Sequence, residues 1–357
     1  MRIPTTWLTL GFLIALAGGT GLPAQAAEPE QAVASRSVED FKAGIALFRQ
    51  AQAWSAVLDD SREMQRQHGS NDEAAAFAMG ATCEALVRTA RYAEAIATAD
   101  EVSSRFGKSE ILPIQEEVAR SLVMKASALA GDVNSPQFEA NFRQALSIAD
   151  EVVVRYGKSE APSLRWYAAA AMVFKAGVLM GIRQPDEAMA AFDAAVGYCG
   201  SDEEAVVVRA TEGLALSEAG RGDTAIGVLD AAIARYAPRG TSVVSPVVVS
   251  LYVGKCGVLV NMGRKEEGVA VLDEAITRFA PRDAPLTQQF VGVLFLGKSV
   301  LLSELGRTDE AIGVLDDLEA RCANSEVREI RELGIMAALI RSKLTAGEKG
   351  SKDEPRH

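Results

Sequence analysis

Residues Gly292 to Ser299 read GVLFLGKS, a G-x-x-x-x-G-K-S string of the kind whose backbone amides cradle phosphate while its lysine reaches the outer phosphates. That chemistry needs a loop leaving a strand and opening a helix. Here the string lies inside a helical, largely apolar stretch, and Lys298 sits at a position that recurs as Lys255, Lys175 and Lys125, so no nucleotide is expected. The chain has two histidines, His68 and the terminal His357, which leaves Ser-His-Asp or Cys-His catalysis without a base. Cys83, Cys199, Cys256 and Cys322 are dispersed, with no C-x-x-C and no zinc-type spacing. An enzyme is not expected, nor a metal, nor a cofactor.

Two series of charges remain. Lys125, Lys175, Lys255 and Lys298 recur at one position, with Glu212 interrupting, and Asp100, Asp150, Asp193, Asp230, Asp273 and Asp316 recur at another. The stretches around the lysines are nearly apolar all round; Val247 to Val260 carries Lys255 as its only charge. A helix of that kind is buried on most faces, and a buried ammonium needs a partner. One reading is an internal ladder joining the two helices of a unit or adjacent units, with Lys175, Lys255 and Lys298 facing Asp193, Asp273 and Asp316. The other has the lysines facing a groove and catching a partner's carboxylates.

The elements that carry these charges repeat. RFGKSE from Arg105, RYGKSE from Arg155, RYAPRG from Arg235, RFAPRD from Arg278 and RCANSE from Arg321 each close a helix pair. Ahead of each lies a small residue, a leucine three later, a turn often written Gly-Arg, and a second small residue. The small pairs are Gly44 and Ala56, Cys83 and Ala95, Ala126 and Ala145, Ala176 and Ala188, Gly213 and Ala225, Cys256 and Gly268, Ser299 and Ala311. The leucines are Leu47, Leu86, Leu129, Leu179, Leu216, Leu259 and Leu302. The unit with Ala126 and Ala145 holds seven extra residues around Gly131 to Phe138, expected as a surface excursion between helices. Pro162, Pro246 and Pro285 mark the starts of first helices, where a missing amide does no harm.

This pattern resembles the tetratricopeptide repeat family over residues 37 to 322, a family of helix-turn-helix units with small residues at slots 8 and 20 and large apolar ones at slots 11 and 24. Most units here exceed the family's usual length, and slot 7 holds lysine rather than leucine. The resemblance implies an all-α, right-handed superhelical solenoid of about seven units, because one hairpin cannot bury its apolar face and stacking supplies the cover. The units run 37–69, 70–110, 111–160, 161–203, 204–240, 241–283 and 284–326, followed by a capping helix over 327–345. It further implies a concave groove with Met180, Val253, Gly257, Val260, Leu296 and Val300 among its lining. The family's clamp of polar and basic residues is missing from those slots, so an apolar partner segment suits the groove better. Cys83 and Cys256 fall in buried small slots, and Cys199 and Cys322 end helices three units apart. Since a disulfide needs Cα atoms within ~7 Å, free thiols are expected, with one or more disulfides the alternative.

Residues 1–26 read as an export signal: Arg2, an apolar stretch from Trp7 to Leu22, and Ala24-Gln25-Ala26 as the processing site. Residues 27–36 form a loose linker and 346–357 a disordered tail. The stretch is too short and too broken by glycine and proline to stay as a membrane span, and none is expected after cleavage. The net charge of −11 disfavours nucleic acid and anionic membranes as partners. The sequence therefore points to an exported, periplasmic or secreted, non-catalytic scaffold for a protein or peptide, with self-association as the alternative.

Overall fold

In the computed structural model the described residues are 36–132, 135–237, 246–281, 285–323 and 325–352. Side chains at 246, 247, 285, 286 and 346–352 are outside the description. The export signal, its cleavage site and most of the linker therefore lie outside the described residues. Fifteen helices and no strand occur among those described. They run α1 Val38–Gln50, α2 Trp54–His68, α3 Asp72–Arg88, α4 Tyr92–Phe106, α5 Leu112–Gly131, α6 Phe138–Tyr156, α7 Pro162–Gly181 and α8 Pro185–Tyr198. There follow α9 Asp202–Glu218, α10 Gly222–Tyr236, α11 Pro246–Asn261, α12 Lys265–Phe279, α13 Pro285–Glu304, α14 Thr308–Cys322 and α15 Arg328–Lys352. Odd-numbered helices are the first helices of hairpins and even-numbered ones the second. The fold is the all-α array of tetratricopeptide-type hairpins that the sequence implies. Pro162, Pro246 and Pro285 each open a first helix, and all of Gly292 to Ser299 is helical, inside α13.

The chain divides into two compact units, Met1–Val208 and Arg209–His357. In the first, Phe41, Val57, Cys83, Ala95, Val118, Val152 and Phe174 lie in the buried core. In the second, Tyr252, Leu272, Phe279, Leu294, Leu302 and Leu315 form one core, with the Tyr252 and Phe279 rings edge to face at 5.5 Å. Small slots are buried because they are where two helix axes approach. The Cys83 thiol donates across its hairpin to the Ala95 carbonyl at 3.5 Å, and a Cβ added at Gly213 would fall 2.7 Å from Leu229 of the facing helix.

The turns fix the register. A residue in the left-handed region follows slot 8 by seven and precedes slot 20 by five at Ala90, Arg183, Gly220, Gly263 and Gly306. Gln52, with φ 55°, plays that part in the first hairpin, which makes Ile45 and Val57 its paired slots rather than Gly44 and Ala56. Both are fully buried, whereas Leu47, expected in the apolar series, is 43% exposed. The sequence reading slips here by one residue because Gly44 and Ala56 are small and the true occupants, Ile45 and Val57, are not.

The recurrent arginine that opens RFGKSE and its relatives has a mechanical role. Arg105 donates to the Gly69 carbonyl at 3.1 Å, Arg155 to that of Gly107, and Arg321 to that of Ala280 at 3.4 Å. Each reaches back to the end of the preceding second helix, where backbone carbonyls lack intrahelical partners and the helix dipole is negative. The seven extra residues of the third hairpin divide between two places. Its turn is three residues longer than its neighbours', and α6 gains one helical turn at its front, where Phe138 and Phe142 rings meet at 5.7 Å. Only part of the insert is therefore a loop. The last helix runs to Lys352, beyond the 345 boundary of the sequence reading and into the segment read as a disordered tail, with no proline before Pro355 to stop it.

Candidate functional site

The charge series form an internal ladder in a different register from the one the sequence suggested. Lys125 pairs with Asp100, Lys175 with Asp150 at 2.7 Å, Lys255 with Asp230, and Lys298 with Asp273. Each lysine thus answers the second helix of the preceding hairpin, not its own, so the partners Asp193, Asp273 and Asp316 assigned within units are replaced. Slot 8 faces the helix's own partner, and slot 7 lies a quarter turn away from it, towards the hairpin before. Every rung spans 25 residues, and so does a fifth, Asp316 to Arg341 of α15 at 3.3 Å. Arg341 therefore marks slot 7 of α15, which stands as a further first helix after the seventh hairpin. Glu212, where the lysine series breaks, is buried and pairs with Arg209 at 2.6 Å. Asp193 is exposed on α8.

In the first unit the inner slots hold a polar network that the sequence reading missed. Arg49 of α1 lies 2.9 Å from Glu84 of α3, whose Oε2 is also 3.8 Å from Arg120 of α5. Arg120 Nε donates to the Tyr167 hydroxyl of α7 at 3.2 Å and stands 3.5 Å from Glu117. The first helices of four successive hairpins are joined by two cations, two anions and a phenol. Gly80 makes room for Glu117: a Cβ there would lie 2.0 Å from its Oε2. Among the described residues no donor is aligned on that buried oxygen or acceptor on Arg49 Nε. Burial pushes the Glu117 carboxyl above the usual carboxylate range, a trend that the two arginines oppose. Burial alone would lower the Arg120 guanidinium, but Glu117, Tyr167 and Glu84 together hold it well above the ordinary arginine range. The set is close to neutral and fixes neighbouring helices in register rather than projecting a field. Glu84 and Arg120 occupy groove slots 9 and 2, so the expectation of a lining without polar or basic residues fails in this unit. Glu84, the only charge between Glu73 and Arg88 of α3, was the available signal.

The second unit differs. Val253 on α11 and Val300 on α13, both named from the sequence, are exposed, and Val293, not named, joins them. Gly257 holds on α11 the slot that Val300 holds on α13, with no heavy atom near the place of its missing Cβ, and Gly297 has only Leu272 at 3.7 Å. The backbone is thus accessible between valine ridges. Val260 and Leu296 turn inward and pack on the core of this unit, and Met180, half-buried, lies on α7 in the other unit. Of the candidate groove residues on the second unit, Val253, Gly257 and Val300 are the ones that stay out of its core.

His68 sits at the end of α2, where its Nε2 meets the Arg36 carbonyl at 2.7 Å and its ring packs edge-on to Phe41. All four cysteines are free thiols, and Cys83, Cys256 and Cys322 are buried. Burial, aided by Glu84 and Glu117, pushes Cys83 up to about 12, and burial also raises Cys256 and Cys322. Among the described residues no cluster of three His, Cys, Asp or Glu side chains is placed to hold a metal ion, and no helix is long and apolar enough to cross a membrane.

No family model matches the chain, and no curated protein does. Among solved structures, a tetratricopeptide repeat protein from Parabacteroides merdae is similar over 84% of this chain and 98% of its own, with 14% identity and a TM-score of 0.39. A likeness that distant carries no argument about function.

Proposed function

We propose that this chain is a non-catalytic interaction scaffold of the cell envelope that holds an apolar helical segment of a partner protein against the α11 and α13 face of its second unit. One observation carries the reading: Val253, Val293 and Val300 stand just under half exposed on first helices whose Gly257 and Gly297 leave open space. Valine ridges beside bare backbone suit another helix, whose side chains fill the gaps while its axis approaches to within 8–10 Å. An extended strand would instead seek free backbone amides, and those of a helix are already bonded within it. The lysines of slot 7 offer nothing to a partner's carboxylates, since Lys255 and Lys298 are engaged by Asp230 and Asp273. The net charge of −11 repels phosphate backbones. Residues 1–26, read as an export signal, support an envelope location.

Photo-crosslinking tests the reading. A benzoylphenylalanine replacing Val253, Val293 or Val300 is expected to capture one common partner from envelope extract, through an apolar helical peptide of that partner. The same probe replacing Val154, the strongly exposed valine of α6, serves as control. Equal capture from Val154, or none from the three valines, overturns the proposal. Mass spectrometry of the native chain is expected to find Ala27 at its start, and an intact Met1 would remove the export claim.

A further inference from the structure

Arg341 at slot 7 puts Met336, Leu339 and Lys343 of α15 at slots 2, 5 and 9, those held by Val293, Val253 and Val300 in the earlier first helices. Ile330, Leu333, Ala337, Ile340 and Leu344 pack α15 onto the core of the second unit. On its other side Ile335, Met336 and Leu339 are 62%, 49% and 60% exposed. Glu332, Met336, Leu339 and Lys343 follow at i, i+4, i+7 and i+11, which sets all four along one edge of the helix. Glu332 and Lys343 are both exposed. The stripe therefore runs acid, apolar, apolar, base.

That order is self-complementary. When two copies of the stripe lie antiparallel, a two-fold axis midway between Met336 and Leu339 sets Glu332 against Lys343 of the second copy, and Met336 against its Leu339. The parallel arrangement sets glutamate against glutamate and lysine against lysine, which disfavours it. An isologous contact demands this symmetry of a single sequence, and a foreign partner does not. We propose that α15 is a homodimerisation surface on which two copies of the chain pair antiparallel through this stripe. Eleven residue steps cover about 17 Å of helix, and the contact falls short of the ~1,200 Å² of stable specific interfaces. The dimer is accordingly weak. The intrachain pair of Arg328 with Glu332, at 2.8 Å and well exposed, exchanges readily for the new one.

Sedimentation of the full chain between 1 and 300 µM tests this. The expected result is a rise from the monomer mass towards twice that value. Leu339→Glu should abolish the rise while helicity and melting temperature stay unchanged. Glu332→Lys or Lys343→Glu alone should weaken association at least fivefold, and the two together should restore it to within twofold of the parent. Val253→Glu with Val300→Glu should leave it unaltered, which separates this inference from the proposed partner face. A monomer throughout the range, a dimer that survives Leu339→Glu, or a double charge reversal no better than the single ones would each overturn it.

Discussion

Neutralising Lys255 and Asp230 one at a time and together measures what a rung of the ladder contributes. Lysine side chains of the four Lys rungs are 14–30% exposed and their aspartates 48–56%. At contact distance two unit charges attract by about 1 kcal/mol in water and about 4 kcal/mol at an effective dielectric constant of 20. With the aspartate half in water the appropriate value lies near the lower limit, and ordering two side chains offsets part of it. The expected coupling is ~0.5–1 kcal/mol, well under the ~3–5 kcal/mol of breaking a fully buried pair. Lys255→Met is the suitable truncation, because it keeps the methylene stem that the lysine lays along apolar surface. Urea denaturation followed by circular dichroism gives the cycle, compared at unchanged slope so that the repeats still melt together. Lys255→Met with Asp230→Asn should couple, and Lys255→Met with Asp273→Asn should be additive. Coupling to Asp273, no coupling to Asp230, or a coupling above ~3 kcal/mol would refute the reasoning.

Other expectations follow from the turns, the buried glutamate and the thiols. Ala90 and Arg183 hold positive φ where later hairpins use glycine, so Ala90→Gly or Arg183→Gly should raise stability by ~0.5–1 kcal/mol and Gly263→Ala should lower it by ~1 kcal/mol, as read by chemical denaturation. Glu117, whose folded pKa lies above its unfolded value because of burial, contributes stability that is full below the unfolded carboxylate pKa of ~4.3 and is lost as pH rises through the folded value. Glu117→Gln should accordingly flatten the decline of stability above pH ~4.3, and a parent curve that does not decline there would contradict the assignment. Gly80→Ala should destabilise by more than ~1 kcal/mol through its clash with Glu117, and the added change Glu117→Ala should reduce that penalty. Under native conditions an aromatic disulfide reagent should modify Cys199 first, with Cys83, Cys256 and Cys322 reacting only on unfolding; rapid native labelling of Cys83 would contradict its burial.

The sequence by itself determined the hairpin array. Small residues at slots 8 and 20, leucine at slot 11 and proline at helix starts are local requirements of close helix packing and helix initiation, so they repeat in the text of the chain. The misplacement of the phosphate-loop string inside a helix followed from the same register. What the tertiary structure decided is which neighbour each side chain meets. Slot 7 lysine faces back to Asp230 rather than on to Asp273 because of the direction in which one hairpin stacks on the next, and no spacing within a unit encodes that. The first hairpin's register needed the positive φ of Gln52, since Ile45 and Val57 mimic no small residue. The network of Arg49, Glu84, Glu117, Arg120 and Tyr167 draws on four helices far apart in sequence. Periodicity records the face on which a residue sits, and only packing records what lies opposite that face.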